Sequence, residues 1–465
     1  MGNAISKIPK RSPRHVTGMG KVKVDKKPKP ADNGLVKITA SVFFDGTGNN
    51  RTNTAIGKSA RLHNANAKYA VVAGRTVTFK DSSYESFYSN VAIMEHLNLL
   101  DKPNEQVSYY TEGIGTQNGL DDDNLGSGFG AGPTGIPTKV AKGIVGLTTQ
   151  IEALLERTDK KIGHLTVNVC GFSRGAAAAR HFVARRTAEF FPHYTSLSGS
   201  LGITADKITI NFVGLFDTVS SYGGEKHQTV LGQVRNNVLH KSFDDDVQEL
   251  HLAIGNHAKQ VVQLAAADEY RKNFASTNIQ SSVRVGVGLE VCLPGVHSDI
   301  GGSYEEYKEE WRWVTDFERL RLIKEGWYTK EQLANPQGGW WIHTMRKLTH
   351  VYQFIPLSIM VALAGQSGMK FKPFNADNHD YRVPEKLQPL GNDMYKYVLG
   401  RPGPRSLEPY VPAEYDLPEQ FHWVRNQYMH RSAVQGESIA QNLKMGGRYK
   451  NRLPDRQIFP DSLPR

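Results

Sequence analysis

Cysteine is scarce. The 465 residues contain two, Cys170 and Cys292, too few to staple a chain of this length. A disulfide-held secreted fold is therefore excluded, and both are read as small buried thiols of a protein that folds in a reducing cytoplasm. Long apolar runs are missing as well: none reaches the roughly 18 residues that a membrane-spanning helix needs. The basic N-terminus is not followed by the apolar stretch of a secretory signal. MGNAIS fits the myristoylation pattern, but the pattern is short enough to arise by chance. His and Cys are nowhere clustered at zinc spacing. The acidic run Asp121-Asp122-Asp123-Asn124 fails as an EF-hand loop, because Leu125 and Gly132 stand where oxygen ligands are needed. It is read as a solvated acidic loop, and neither a metal nor another cofactor is expected.

Positive charge is also less abundant than the total suggests. Of the formal net charge of +11, residues 1–30 carry +8, with nine Lys/Arg against one Asp, and the rest of the chain carries +3. That segment holds four prolines and little apolar content. It reads as a disordered docking or linker tail over residues 1–34, not as a nucleic-acid-binding element, and no nucleic-acid partner is expected.

What the remainder does have is a repeated alternation. Short, nearly continuous apolar runs (35–44, 106–113, 164–170, and the opening parts of 207–219 and 282–299, each a strand followed by a loop) alternate with helical patterns (87–100, 139–158 and 176–191). Residues 247–274 read as mainly helical, 113–135 as a glycine-rich loop, and 354–369 as a buried helix that could wall or lid an apolar site. This alternation predicts an α/β fold: a mostly parallel sheet covered by helices on both faces, with helical insertions. The catalytic domain is expected over 35–440, with a helical insertion or cap at 305–380 and a polar C-terminal tail at 441–465. In such a sheet, ligands bind beyond the carboxyl ends of the strands. Four runs end there in reactive residue types: Asp45-Gly46-Thr47, Gly171-Phe-Ser173-Arg174-Gly175, Asp217-Thr218, and Pro294-Gly-Val-His297-Ser-Asp299.

Gly171-x-Ser173-x-Gly175 fits the nucleophile elbow of α/β-hydrolases, a turn from strand to helix too sharp for side chains at the glycines. Ser173 then sits at a helix N-terminus, where the Arg174 backbone N–H can face an oxyanion. A serine nucleophile needs a base, and the base an orienting carboxylate, in the chain order Ser, acid, His. Asp217, at the end of a rigid strand, is the first suitable acid. Ten histidines follow it. His297 is preferred because it follows a strand beside Pro294 and Gly295, whereas His251 and His257 read as helical; His430 is the reserve. Gly46 and Thr47 can add backbone donors to the oxyanion site. Asp45 either orients that loop, holds Arg174, or forms a structural Asx turn. A haloacid-dehalogenase reading fails, because Phe43 stands where the nucleophilic aspartate is required.

Taken together, FFDGTGNN (43–50), YTEGIGT (110–116), GFSRGAAAAR (171–180), GLFDTV (214–219), PGVHSDIGGSY (294–304) and FIPLSIM (354–360) resemble the α/β-hydrolase family that includes phospholipase effectors of bacterial type VI secretion. The resemblance spans about residues 35–435. It implies an antibacterial lipase that is made in the cytoplasm and leaves without a signal peptide. It implies loading onto a secretion spike protein, action on phospholipid at the target-cell membrane or periplasm, and a cognate immunity protein. It maps the family's nucleophile onto Ser173, its acid onto Asp217 and its base onto His297. A small-molecule esterase or thioesterase on the same triad, or a non-catalytic adaptor, are the alternatives. The large C-terminal membrane-associating region of longer family members is not expected here.

Overall fold

The computed structural model describes residues 34–123, 135–220, 244–271, 273–335, 338–433, 449–450, 453–454 and 456–462. The expected basic tail and residues 124–134 of the glycine-rich loop lie outside these residues.

Seven strands form the central sheet: β1 (Leu35–Phe44), β2 (Gln106–Thr111), β3 (Lys161–Phe172), β4 (Ile208–Phe216), β5 (Ala258–Ala266), β6 (Gly288–Leu293) and, after a hairpin described below as β7 and β8, the short β9 (Ala413–Glu414). Their order is β9-β6-β5-β4-β3-β1-β2, and every neighbouring pair is parallel. The helices include α1 (Arg51–His63), α2 (Asn90–Leu97), α3 (Ile136–Thr158) and α4 (Arg174–Ala184). The expected α/β architecture is present.

Alternation along the strands divides the interior into two cores. Phe43, Phe172, Val262 and Leu264 point to the face covered by α2 and two later helices, α7 (Phe354–Gln366) and α8 (Gln388–Leu399). Phe44, Val169, Val213 and Val261 point to the face covered by α3 and α4. Burial on both faces explains why the strands read as continuous apolar runs. Ala176 to Ala179 are fully buried, and their small side chains let α4 lie close against the sheet. From β1 the chain adds β2 on one side, then crosses to place β3 on the other. This reversal opens a crevice at the carboxyl ends of β1 and β3, where Asp45 and Ser173 lie.

Three expectations change and one holds in part. Residues 247–274 are not mainly helical: a short helix, Asp244–Glu249, is followed by a turn with His251 and Gly255 at positive φ, then by strand β5. His251 and His257 therefore flank a turn. The β-branched pair Val261-Val262 inside the sheet decides the conformation, overriding the helix preference of the alanines. The segment expected at 305–380 as a helical insertion or cap is not helical throughout either, and its first part differs most. That part is an antiparallel hairpin, β7 (Tyr307–Thr315) with β8 (Trp341–Thr349), joined through α6 (Asp316–Lys324), which follows the short α5 (His297–Gly301). Its inner face carries Glu310, Val314, Ile342, Thr344, Arg346 and Leu348. The Glu310–Arg346 ion pair is buried there. The segment 354–369 is the buried helix expected, α7 (Phe354–Gln366), packed in the core beside α8 (Gln388–Leu399); that burial rules it out only as a lid. Finally, the expected polar tail is docked over 456–462: Ile458–Phe459 form β10, which pairs with Ser276–Thr277, and Asp461 is buried against Arg180.

Candidate active site

The elbow is built as its glycines require. Ser173 follows β3 directly and opens α4 with φ 58° and ψ −128°, a strained conformation for a residue with a Cβ. Its N–H donates to the Phe216 carbonyl at 3.0 Å, and its carbonyl accepts from Ala176 N at 3.0 Å and Val219 N at 3.3 Å. A Cβ on Gly171 would lie 2.4 Å from the Gly175 oxygen. One on Gly175 would lie 2.2 Å from the Asp45 oxygen and 2.4 Å from that of Phe44. Both positions exclude any side chain.

Asp217 follows β4, also at positive φ (45°). Its backbone N–H donates to Leu264 O at 2.9 Å, and its Oδ1 accepts from Ala266 N at 3.0 Å. His297 opens α5 at the end of β6. Its Nδ1–H donates to Asp217 Oδ2 at 2.6 Å, which leaves Nε2 as the basic nitrogen. The imidazole lies against the rings of Phe172 at 4.7 Å and Phe274 at 4.9 Å between centroids. Its backbone N–H donates to Glu269 Oε2 at 3.3 Å. Ser173, Asp217 and His297 are all buried. They are tied together locally: His297 packs against the residue before Ser173, and Ser173 N bonds the carbonyl of the residue before Asp217.

Burial alone would raise the Asp217 carboxyl. The Arg456 charge and the hydrogen bond from His297 outweigh it and hold the group well below the usual carboxylate range. Burial lowers His297, opposed by Asp217, so the imidazole is neutral at neutral pH. Glu269, buried yet beside Arg271, is held at about 2.

Asp45 accepts from Gly46 N at 2.8 Å and Ser89 Oγ at 2.6 Å through Oδ1, and from Tyr110 Oη at 2.5 Å through Oδ2. It therefore pins its own loop and does not hold Arg174. The Gly46 N–H is spent on that carboxylate, which removes it as an oxyanion donor. Thr47 lies on the same loop, and its buried Oγ1 has no hydrogen-bond partner among the described residues. The Arg174 side chain is half-buried, and burial pushes its guanidinium down to about 10. His430, the reserve base, bonds a different carboxylate: its Nδ1 lies 2.8 Å from Asp299 Oδ1, and its ring stacks on Tyr304 at 3.6 Å.

Sequence reasoning missed Arg456, which bonds both oxygens of Asp217, and Glu269, which accepts from His297 N and Ser432 Oγ. Arg456 stands 239 residues from its partner, and no local pattern marks it. The acidic run serves structure: Asp121 accepts from Thr78 N, and Asp122 from Ser83 N and Oγ. Among the described residues, no three His, Cys, Asp or Glu side chains are grouped to hold a metal ion, and no helix is long and apolar enough to cross a membrane.

No curated protein sequence matches this chain. Among solved structures it is similar to the Tle1 effector bound to the VgrG spike of the type VI secretion system. The two share 22% identity at a TM-score of 0.56, over 92% of this chain and 94% of that one, a likeness of fold. It also resembles an uncharacterized protein from Pseudomonas aeruginosa, at 19% identity and a TM-score of 0.44, over 79% of this chain and 51% of that one. Residues 195–331, which carry Asp217 and His297, match the family model of the type VI secretion phospholipase effector Tle1-like catalytic domain, and over that stretch the chain bears out the family resemblance of its motifs.

Proposed function

We propose that the chain is a serine phospholipase of the A type that hydrolyses acyl esters of membrane phospholipids. The observation that carries this reading is the buried Asp217–His297 hydrogen bond of 2.6 Å beside a strained, elbow-mounted Ser173. Ser173 Oγ attacks the ester carbonyl while His297 Nε2 takes its proton. The tetrahedral oxyanion is met by the backbone N–H groups of Arg174 and Thr47. Collapse expels the lysophospholipid alkoxide, which receives the proton from His297. Water, activated by His297, then releases the fatty acid and restores Ser173. Asp217 fixes the tautomer and stabilises the imidazolium.

A membrane substrate is supported by the hairpin. Four of the chain's six tryptophans, Trp311, Trp313, Trp340 and Trp341, are exposed there, Trp340 by 84%, and Phe317 and Leu320 are exposed on α6, which follows β7 directly. The only charges from β7 and β8 on that outer face, Glu309 and Lys347, approach each other to 3.9 Å, and His343 is stacked between indoles. Indoles with one apolar body and one polar N–H settle at lipid–water interfaces. Replacing Trp311, Trp313 and Trp340 together by Ser should lower hydrolysis of long-chain phospholipid vesicles about 100-fold, taking about 1 kcal/mol per partly inserted ring. Hydrolysis of a short soluble ester should stay within about twofold. Equal losses on both substrates would assign the tryptophans to folding, and faster cleavage of soluble esters than of vesicles by the parent would make the enzyme a small-molecule esterase.

The related structure holds its effector on a VgrG spike. We extend that mode to this chain: it is loaded on a spike, acts as an antibacterial effector at the target-cell membrane, and is neutralised in the producer by an immunity protein.

A further inference from the structure

The guanidinium of Arg456 uses all of its donors at one place. Nη1 donates to Asp217 Oδ1 at 2.7 Å and to Ala266 O at 2.6 Å. Nη2 donates to Asp217 Oδ2 at 2.8 Å and to Phe274 O at 3.0 Å, and Nε donates to Phe274 O at 3.3 Å. Five bonds match the five N–H groups of the side chain, and two of them form a fork on the carboxylate, the geometry in which arginine binds most strongly. The side chain is 9% exposed and Asp217 is fully buried.

The segment that delivers Arg456 is itself anchored. Ser276 N donates to Gln457 O at 2.9 Å and Asn278 N to Phe459 O at 3.0 Å, around the parallel pairing of β10 with Ser276–Thr277. Five residues beyond Arg456, Asp461 is fully buried. It accepts from Arg180 Nη2 at 3.0 Å and from Ser281 N at 2.9 Å. Arg180 belongs to α4, the helix that Ser173 opens. One short strap thus grips the helix of the proposed nucleophile through Asp461 and the proposed acid through Arg456.

We infer that Arg456 is a positioning residue of the catalytic triad, and that the segment 456–461 completes the active site. The inference rests on the serine-hydrolase reading of Ser173, Asp217 and His297. Two consequences follow from the geometry. The fork fixes the carboxylate so that Oδ2 presents to His297 Nδ1 in one orientation, since both oxygens are held by Arg456 and Oδ1 also by Ala266 N. The positive charge also partly neutralises Asp217 as His297 experiences it. The groups that face His297 are Asp217 and Glu269, which favour its protonation, and Arg271, which opposes it, with the uncharged rings of Phe172 and Phe274. Arg456 joins Arg271 on the opposing side. His297 works as a base only when neutral, so Arg456 extends activity to lower pH.

The test uses the full chain with Arg456→Gln, which removes the charge, and Arg456→Lys, which keeps the charge and loses the fork. Hydrolysis of a short soluble ester is followed as a function of pH. In Arg456→Gln the Asp217 charge is unopposed, the imidazolium is stabilised, and the acid limb of kcat/KM should move to higher pH by about one unit or more. Arg456→Lys should leave the limb near its parental position while kcat falls about tenfold or more with KM little changed. A limb that does not move in Arg456→Gln overturns the electrostatic role. Full kcat in Arg456→Lys overturns the positioning role, and this variant keeps the inference testable if Arg456→Gln fails to fold. The His297 pKa, read by NMR in a Ser173→Ala background with and without Arg456→Gln, gives the same answer without turnover. Parent activity that survives Ser173→Ala would overturn the hydrolase reading. An unmoved acid limb in a Ser173-dependent reaction would overturn the Arg456 assignment alone.

Discussion

Replacing Ser173 by Ala should abolish hydrolysis, by several orders of magnitude in kcat, and leave a folded protein. The size follows from the chemistry. Without Oγ no acyl-enzyme forms, and loss of a triad nucleophile in serine hydrolases costs on the order of 10⁶ in kcat. What survives is the oxyanion site and substrate binding. A fluorophosphonate should label the parent and not the variant. Stability should change little, because the Ser173 backbone rather than its hydroxyl holds the elbow, through Phe216 O, Ala176 N and Val219 N. Replacement by Gly should raise stability by about 1 kcal/mol, since φ 58° costs a glycine nothing. Unchanged labelling of Ser173→Ala would move the nucleophile elsewhere.

The second large effect is on folding. Gly175→Ala should destabilise the protein by about 3 kcal/mol or more. The added carbon would lie 2.2 Å from the Asp45 oxygen and 2.4 Å from that of Phe44. These are backbone atoms at the end of a central strand, so no rotamer change relieves the clash. Either α4 lifts from the sheet or β1 shifts. Both movements displace Ser173, and Asp45 moves with its hydrogen bonds to Ser89 and Tyr110. Thermal or denaturant unfolding of parent and Gly175→Ala measures the loss. A variant of parental stability and activity would mean that α4 and β1 are not packed as described.

Much of the sheet was legible because its strands are buried on both faces. The runs at 35–44 and 106–113 coincide with β1 and the start of β2, and the run ending at Cys170 lies inside β3. The helix at 139–158 was read nearly to its ends. The helix expected to run to 191 stops at Ala184, because Arg185 turns inward and spends its guanidinium on the carbonyls of Thr195 and Pro137. That pairing depends on the tertiary fold and leaves no local trace. The same holds for the hairpin. Glu310 and Arg346 sit at inward positions of a period-two pattern, and charged residues there look solvated until the strands pair.

At the site, each of the three triad candidates occupies a strand's carboxyl end, a position that a parallel sheet marks in the sequence. Pro294 and Gly295 favour His297 over His430 in the sequence, and it is His297 that meets Asp217. The pairing of His430 with Asp299 was not, although both residues were singled out. Gly46 looked like an oxyanion donor because it lies on the loop after the first strand, next to Asp45. The structure shows that the same adjacency lets Asp45 capture the Gly46 N–H. Arg456 and Glu269 were invisible because a lone charged residue gives no sign of which buried group it will meet.

The measurement that bears most directly on the central claim is acyl release from vesicles of a mixed-chain phospholipid, with parent and Ser173→Ala compared at equal concentration. The parent should release free fatty acid and the matching lysophospholipid in equal amounts, and Ser173→Ala should release neither above background. Equal release by both proteins, or intact vesicles in the presence of a parent that cleaves short soluble esters, would contradict it.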